Sequence, residues 1–387
     1  MHIKALGGDR RRDLFFVLAT ALASAALFLS PTGFEKTGVH SAERVKARVV
    51  EVNNDNVKTI GPVRHGEQQL EILVLSGRFA GTQAATHNTL YGKLELDKIF
   101  KPGDTAFVVL DLSADGSAIA YANVLDHYRI DATLILIGLF SICLIAFAGW
   151  TGLKALLSFV FSGALIVKLL LPALLRGWDP VWTAFGVVAI LTAVIIFLVG
   201  GFTRKGAVAF IGSMGGVALT SILALVFTKL FNLRGAVRPF TETLLYSGFD
   251  YLDLSGLFIA GIFLASSGAV MDLGMDIAAA MHELSEKNPN MSRQALIRSG
   301  FFVGRHVVGT MTTTLLLAYT GGYTALIMTF IAQGIPFANV LNMIYVSAEL
   351  VHTMVGSFGL ILVAPVTAIT GGFLFTAKSP KQRANDF

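Results

Sequence analysis

The sequence predicts a polytopic α-helical membrane bundle of about eight spans, with a small extracytoplasmic all-β domain between the first and second spans. Three observations predict it. The chain is 54% hydrophobic and only 14% charged, with a mean hydropathy of +0.68, more apolar than one water-soluble core requires. Apolar runs of spanning length recur after residue 131. Between residues 32 and 130 hydropathy falls and short strand-like stretches appear instead.

Residues 14–29 form the first apolar run, preceded by Arg10, Arg11 and Arg12, as in a signal anchor or a signal peptide. The small residues that suit a peptidase, Ala21, Ala23 and Ala25, lie in mid-run. That favours an uncleaved anchor with a cytoplasmic N-terminus, residues 1–31. In the β-rich domain, residues 32–130, Val45–Val52, Gln69–Leu75, Thr105–Leu112 and Ala118–Val124 have strand composition and are separated by Gly and Asn turns. Four to six such strands suit a small barrel or sandwich, OB-like in pattern. Its histidines, His40, His65, His87 and His127, show no ligand spacing.

The remaining apolar runs are Thr133–Trp150, Leu153–Leu171, Val181–Gly200, Ala207–Leu230, Leu252 to about Met275, Val307–Ala332 and about Val351 to Thr376. The first four belong to a part spanning 131–250, the others to a part spanning 251–377, followed by a cytoplasmic tail, 378–387. Alternation from a cytoplasmic N-terminus puts Lys154, Arg204, Lys205, Lys287, Arg293, Arg298, Arg305, Lys378, Lys381 and Arg383 inside, obeying the positive-inside rule. Arg176, Lys229, Arg234 and Arg238 are exceptions on outer loops. The stretch Leu341–Leu350 is too short for a further span, so a re-entrant or interfacial segment is expected there.

Ionisable groups within spans are costly, so each is a functional candidate. Asp272 and Asp276 are four apart and share a helical face, with Glu283 two turns on. Two such carboxylates could hold a cation or share a proton, or could simply meet Arg298 or Arg305 at a helix end. Arg305, His306, Thr310, Thr312 and Thr313, with Gly304, Gly309, Thr314 and Tyr319, either line a polar path or pack helices closely. Glu349 and His352 stand at i and i+3, which suits an interfacial pair, a proton relay or, with partners from other helices, a metal site. Whether a metal binds stays open.

Other classes lose support. No Walker loop, dinucleotide-binding glycine fingerprint, G-x-S-x-G elbow or H-E-x-x-H run is present, so no cofactor is expected. The single cysteine, Cys143, sits inside an apolar run and gives no thiol framework. The formal charge of +5 falls at loop ends and not on one face, which argues against nucleic acid.

The run from Ser267 through Asp272 and Asp276 to Glu283, the run Gly304 to Gly321, and Glu349 to Pro365 resemble the YibE/F-like family of bacterial membrane proteins. The resemblance covers residues 130–376 and suggests YibE-like and YibF-like parts fused in one chain. It departs from the family pattern at His306, where an acid is expected, and at Thr313, where asparagine is. It implies an integral bacterial cell-membrane protein of the kind described as a permease, without a substrate or catalytic residues to carry over. Three functions compete: a secondary transporter coupled to protons or a cation; an envelope assembly or sensing protein whose outer domain binds a partner; and, with least support, an intramembrane enzyme using the paired aspartates. The partners expected are the lipid bilayer, a small solute or ion, and an envelope protein or a second copy of the chain.

Overall fold

The computed structural model describes residues 5–34, 42–113 and 115–376. His40, Lys378, Lys381 and Arg383, and with them the predicted tail, lie outside the described residues. The chain divides into two compact units, one formed by residues 35–144 and the other by 1–34 with 145–387.

The smaller unit carries a five-stranded antiparallel sheet of β1 (Ala42–Ile60), β2 (Val63–Val74), β3 (Gln83–Tyr91), β4 (Thr105–Leu112) and β5 (Ile119–His127), in the order β3-β2-β1-β4-β5. Period-two burial defines it: along β4 every second residue is buried. Val45, Ala47, Val49, Leu70, Ile72, Val74, Ala106, Val108 and Leu110 meet over Phe100 as the core. The outer strands approach each other, since the Thr86 hydroxyl donates to the Ala122 carbonyl at 2.6 Å and Tyr121 meets His87 at 3.0 Å, so the sheet is nearly closed.

Two differences from the sequence expectation have local causes. β1 runs on to Ile60 through the polar Asn53–Asn56 stretch because a register shift there absorbs the extra residues, and Gly61, at φ 59°, turns the chain straight into β2. β3 was not expected, because two of its inward residues, Thr86 and Asn88, are polar. They are satisfied internally. Asn88 donates to Gln68 Oε1 at 3.0 Å, and Gln68 in turn accepts from the Phe100 amide at 3.0 Å and donates to its carbonyl at 3.2 Å. Gln68→Leu would orphan the Phe100 amide and carbonyl, at a cost of about 1–3 kcal/mol. Amide exchange at Phe100 in the full-length protein should rise by roughly ten- to a hundredfold, and unchanged exchange would contradict the network.

The larger unit is helical: α1 (Ala5–Leu29), α2 (Ile130–Leu165), α3 (Leu171–Leu175), α4 (Pro180–Gly200), α5 (Arg204–Leu230), α6 (Thr241–Tyr246), α7 (Leu254–Lys287), α8 (Arg293–Gly321), α9 (Thr324–Ala332), α10 (Phe337–Asn342) and α11 (Ile344–Thr376). The smaller unit supplies the first turns of α2. Side-chain caps start the long helices: Asp179 accepts from Trp182 N, Thr203 from Gly206 N, Asp253 from Gly256 N and Ser292 from Ala295 N. α11 packs against α5, α7 and α8, and small residues set the spacing. A Cβ on Gly212 of α5 would lie 2.0 Å from Thr367 Oγ1 of α11, and one on Gly304 of α8 would lie 2.8 Å from Ala364 Cβ.

Among the described residues six helical stretches are long and apolar enough to cross a membrane: Ile130–Leu175, Pro180–Gly200, Arg204–Leu230, Leu254–Lys287, Arg293–Gly321 and Ile344–Thr376. The expected runs Thr133–Trp150 and Leu153–Leu171 fall on the first of these, a 46-residue stretch interrupted at Gly149 (φ 55°, ψ −127°). At about 1.5 Å per residue it is roughly twice as long as a bilayer is thick. The apolar part of α1, Asp13–Leu29, is shorter than the six. Two further boundaries move. The seventh run begins earlier, at the Ser292 cap, and ends at Gly321 with α9 separate. The expected interfacial segment Leu341–Leu350 is instead split between α10 and the first turns of α11. Lys154, expected at a cytoplasmic loop, is buried, with its ammonium against the Asp13 carboxylate, to which Trp150 Nε1 donates at 3.3 Å.

Candidate functional site

Apart from Lys154 on α2, the buried ionisable groups of the helical unit, among the described residues, stand where α8 ends, α11 begins and the segment after α5 returns to the bundle. That segment is pinned by Leu233 and Val237, both in the core, and by Gly235, whose φ of +81° brings it against the Leu254–Ser255 backbone at the start of α7. Arg238 follows directly, its carbonyl accepting from the Thr241 hydroxyl at 2.7 Å.

Glu349 and His352 share one face of α11, as their spacing requires, and both are buried. Arg238 reaches both. Its Nη2 lies 3.1 Å from Glu349 Oε2, an ion-pair contact without hydrogen-bond alignment, and 2.7 Å from His352 Nδ1. Its Nη1 donates to the Tyr323 hydroxyl at 2.7 Å, and the guanidinium carbon stands 5.7 Å from the Tyr323 ring centre. A guanidinium can only donate, so His352 Nδ1 accepts and a neutral ring carries its proton on Nε2. Glu349 Oε1 stands 3.5 Å from the same Nδ1.

The Tyr319 ring lies on the imidazole with centroids 4.5 Å apart. Gly356, one turn beyond His352, makes room: a Cβ there would come within 3.3 Å of Ser266 Cβ and 3.7 Å of the Tyr319 hydroxyl. Three buried oxygens of this cluster, Tyr319 OH, Glu349 Oε2 and Thr353 Oγ1, have no hydrogen-bond partner among the described residues. Buried oxygens of this kind normally find one.

The other expected site residues lie elsewhere. Asp272 and Asp276 do share a face of α7, but that face is exposed, and among the described residues neither carboxylate pairs with Arg298 or Arg305, contrary to that alternative. Glu283 is exposed and meets Lys287 at 2.6 Å. Arg305, His306, Thr310 and Thr313 form an exposed stripe on α8. His306 Nδ1 is 3.0 Å from the Phe302 carbonyl, while Thr310 donates to Val307 at 3.0 Å and Thr312 to Val308 at 2.7 Å. Hydroxyls satisfied within their own helix pack or face outward. Among the described residues no group of three or more His, Cys, Asp or Glu could hold a metal ion.

Arg238 was legible only as an exception to the charge rule, and its partnership with α11 explains why a cation stands there. Tyr323 and Thr353 gave no sequence signal.

Six membrane-length apolar helices among the described residues, one of them carrying a buried carboxylate and imidazole that a half-buried guanidinium reaches, are the features of a polytopic membrane protein. The chain belongs to the YibE/F-like protein family, whose model matches residues 136–377, from the second turn of α2 to the end of α11. No curated protein and no solved structure matches it.

Proposed function

We propose that the protein is a secondary transporter of a small solute or ion, coupled to protons or a cation, whose coupling site is Glu349, His352, Arg238, Tyr319 and Tyr323. The observation that carries this is the buried carboxylate and imidazole on a membrane-length helix, beside the Tyr319 and Thr353 hydroxyls, which have no hydrogen-bond partner among the described residues. Ionisable groups at such positions are expensive to keep and mark ion or proton pathways. Buried hydroxyls extend the polarity along the bundle: Thr353 and Ser357 on α11, and Thr220 of α5 against Gly359. Asp272, Asp276, Arg305, His306, Thr310 and Thr313, being exposed, play no part in this interior route.

In this reading the protein sits in a bacterial cell membrane with both termini cytoplasmic and the β domain outside. An OB-like barrel is supported by the strand order, since the approach of β3 to β5 makes the circuit β1-β2-β3-β5-β4. The YibE-like part, 131–250, and the YibF-like part, 251–377, are fused. A second reading, an envelope assembly or sensing protein, is favoured by the concave patch on the β domain lined by Glu51, Glu67, Glu71, His87 and Tyr121, which suits a cationic partner.

The test is flux in proteoliposomes with an entrapped pH dye, across a solute panel, for wild type and Glu349→Gln. Glu349→Gln should lower coupled flux at least tenfold while the protein still elutes as a folded species. Equal flux in the two would remove Glu349 from the mechanism, and none from wild type with any solute would favour the assembly reading.

A further inference from the structure

The exposed acids of α7 and the exposed bases of α8 lie on membrane-length helices. Such a charge costs roughly 2.5–3.5 kcal/mol near the centre of a span and less toward its end, and these stand where the apolar run of α7 closes near Met275 and that of α8 opens near Val307. They also lie at one depth. Gly304 packs 3.3 Å from Ile277 Cδ1 (measured to its added Cβ), and Gly300 packs against Met281, which puts Arg305 level with Asp276. Yet among the described residues Asp272, Asp276 and Arg305 form neither ion pair nor hydrogen bond, and His306 bonds only to its own helix. The two charged faces point away from the packing that α7 and α8 share.

Among the described residues no side chain pairs with these charges. From Ala132 to Gly149 the first half of α2 carries no charged side chain, and most of the apolar surface of α8 is left uncovered within the chain. We infer that these faces join two copies of the chain, Asp272 and Asp276 of each protomer meeting Arg305 and His306 of the other across a two-fold axis along the membrane normal. Such an axis keeps every residue at its own depth, so groups that are level in one copy are level between copies. A two-fold interface also uses each complementary pair twice. Gly309 and Thr310, small and one turn beyond Arg305, let the helices come close. The inference does not depend on the transport reading, since the Glu349 cluster is formed within one chain.

The full-length protein would be measured in nanodiscs by native mass spectrometry and light scattering. Wild type should be a dimer. Asp276→Arg alone and Arg305→Asp alone should each weaken dimerisation at least tenfold, and the two combined should restore it, which no loss of folding could do. In parallel, Gly309→Cys in a Cys143→Ala background should cross-link to a dimer in native membranes with a bismaleimide. A monomeric wild type, a monomer holding anionic lipid, or a dimer indifferent to both charge reversals would overturn the inference.

Discussion

Arg238→Ala is expected to lower stability by about 2 kcal/mol and to abolish coupled flux. Removing one partner of a buried pair costs about 3–5 kcal/mol when both are inside. Arg238 is 37% exposed while Glu349 is 9% exposed, so water already screens part of the attraction and the lower figure applies. The loss extends beyond one contact, because Glu349 loses its cation while His352 and Tyr323 lose their common donor. Thermal unfolding in detergent checks it, together with Arg238→Ala/Glu349→Gln. The double variant should recover roughly half the loss, since an amide leaves no buried charge unpaired. A single variant within about 0.5 kcal/mol of wild type would mean that the pair contributes nothing measurable.

Gly235→Ala should cost more, about 3 kcal/mol or above, although alanine adds only a methyl group. The left-handed backbone at Gly235 is worth about 1–2 kcal/mol against any other residue. The Cβ would also stand 2.1 Å from the Leu254 carbonyl carbon and oxygen and 2.4 Å from Ser255 N. Those are backbone atoms at the first turn of α7 and cannot rotate aside, so the segment must lift. Leu233 and Val237 would leave the core with it, and Arg238 would leave Glu349. Gly248→Ala is the control: its φ is +92° but nothing lies within 4 Å, so it should lose only the backbone increment. Equal unfolding temperatures for the two variants would show that the contact with α7 is not what holds the loop.

What the sequence displays depends on how far apart the cooperating residues are. Helical runs are local patterns, so the bundle was legible in outline, and so was β4, where inward and outward residues alternate strictly. β3 was hidden because Thr86 and Asn88 occupy inward positions and are satisfied by groups 36 and 20 residues away. The pairing of Glu349 with His352 could be anticipated from three-residue spacing, whereas Arg238 stands 114 residues from His352 and only folding brings them together. Asp272, Asp276 and Arg305 show the opposite failure. Their charges and shared depth are visible in the chain, but the rotation of each helix, which decides what a side chain faces, is set by glycine contacts such as Gly304 on Ala364.

His352 Nδ1 has one lone pair in the plane of its ring, and Arg238 occupies it. A second proton on the imidazole and the grip of the guanidinium are therefore mutually exclusive, because two hydrogens cannot share that site. The segment between α5 and α6 is thus moored to α11 through a single lone pair, and the ring nitrogen left over, Nε2, is the one that carries the hydrogen.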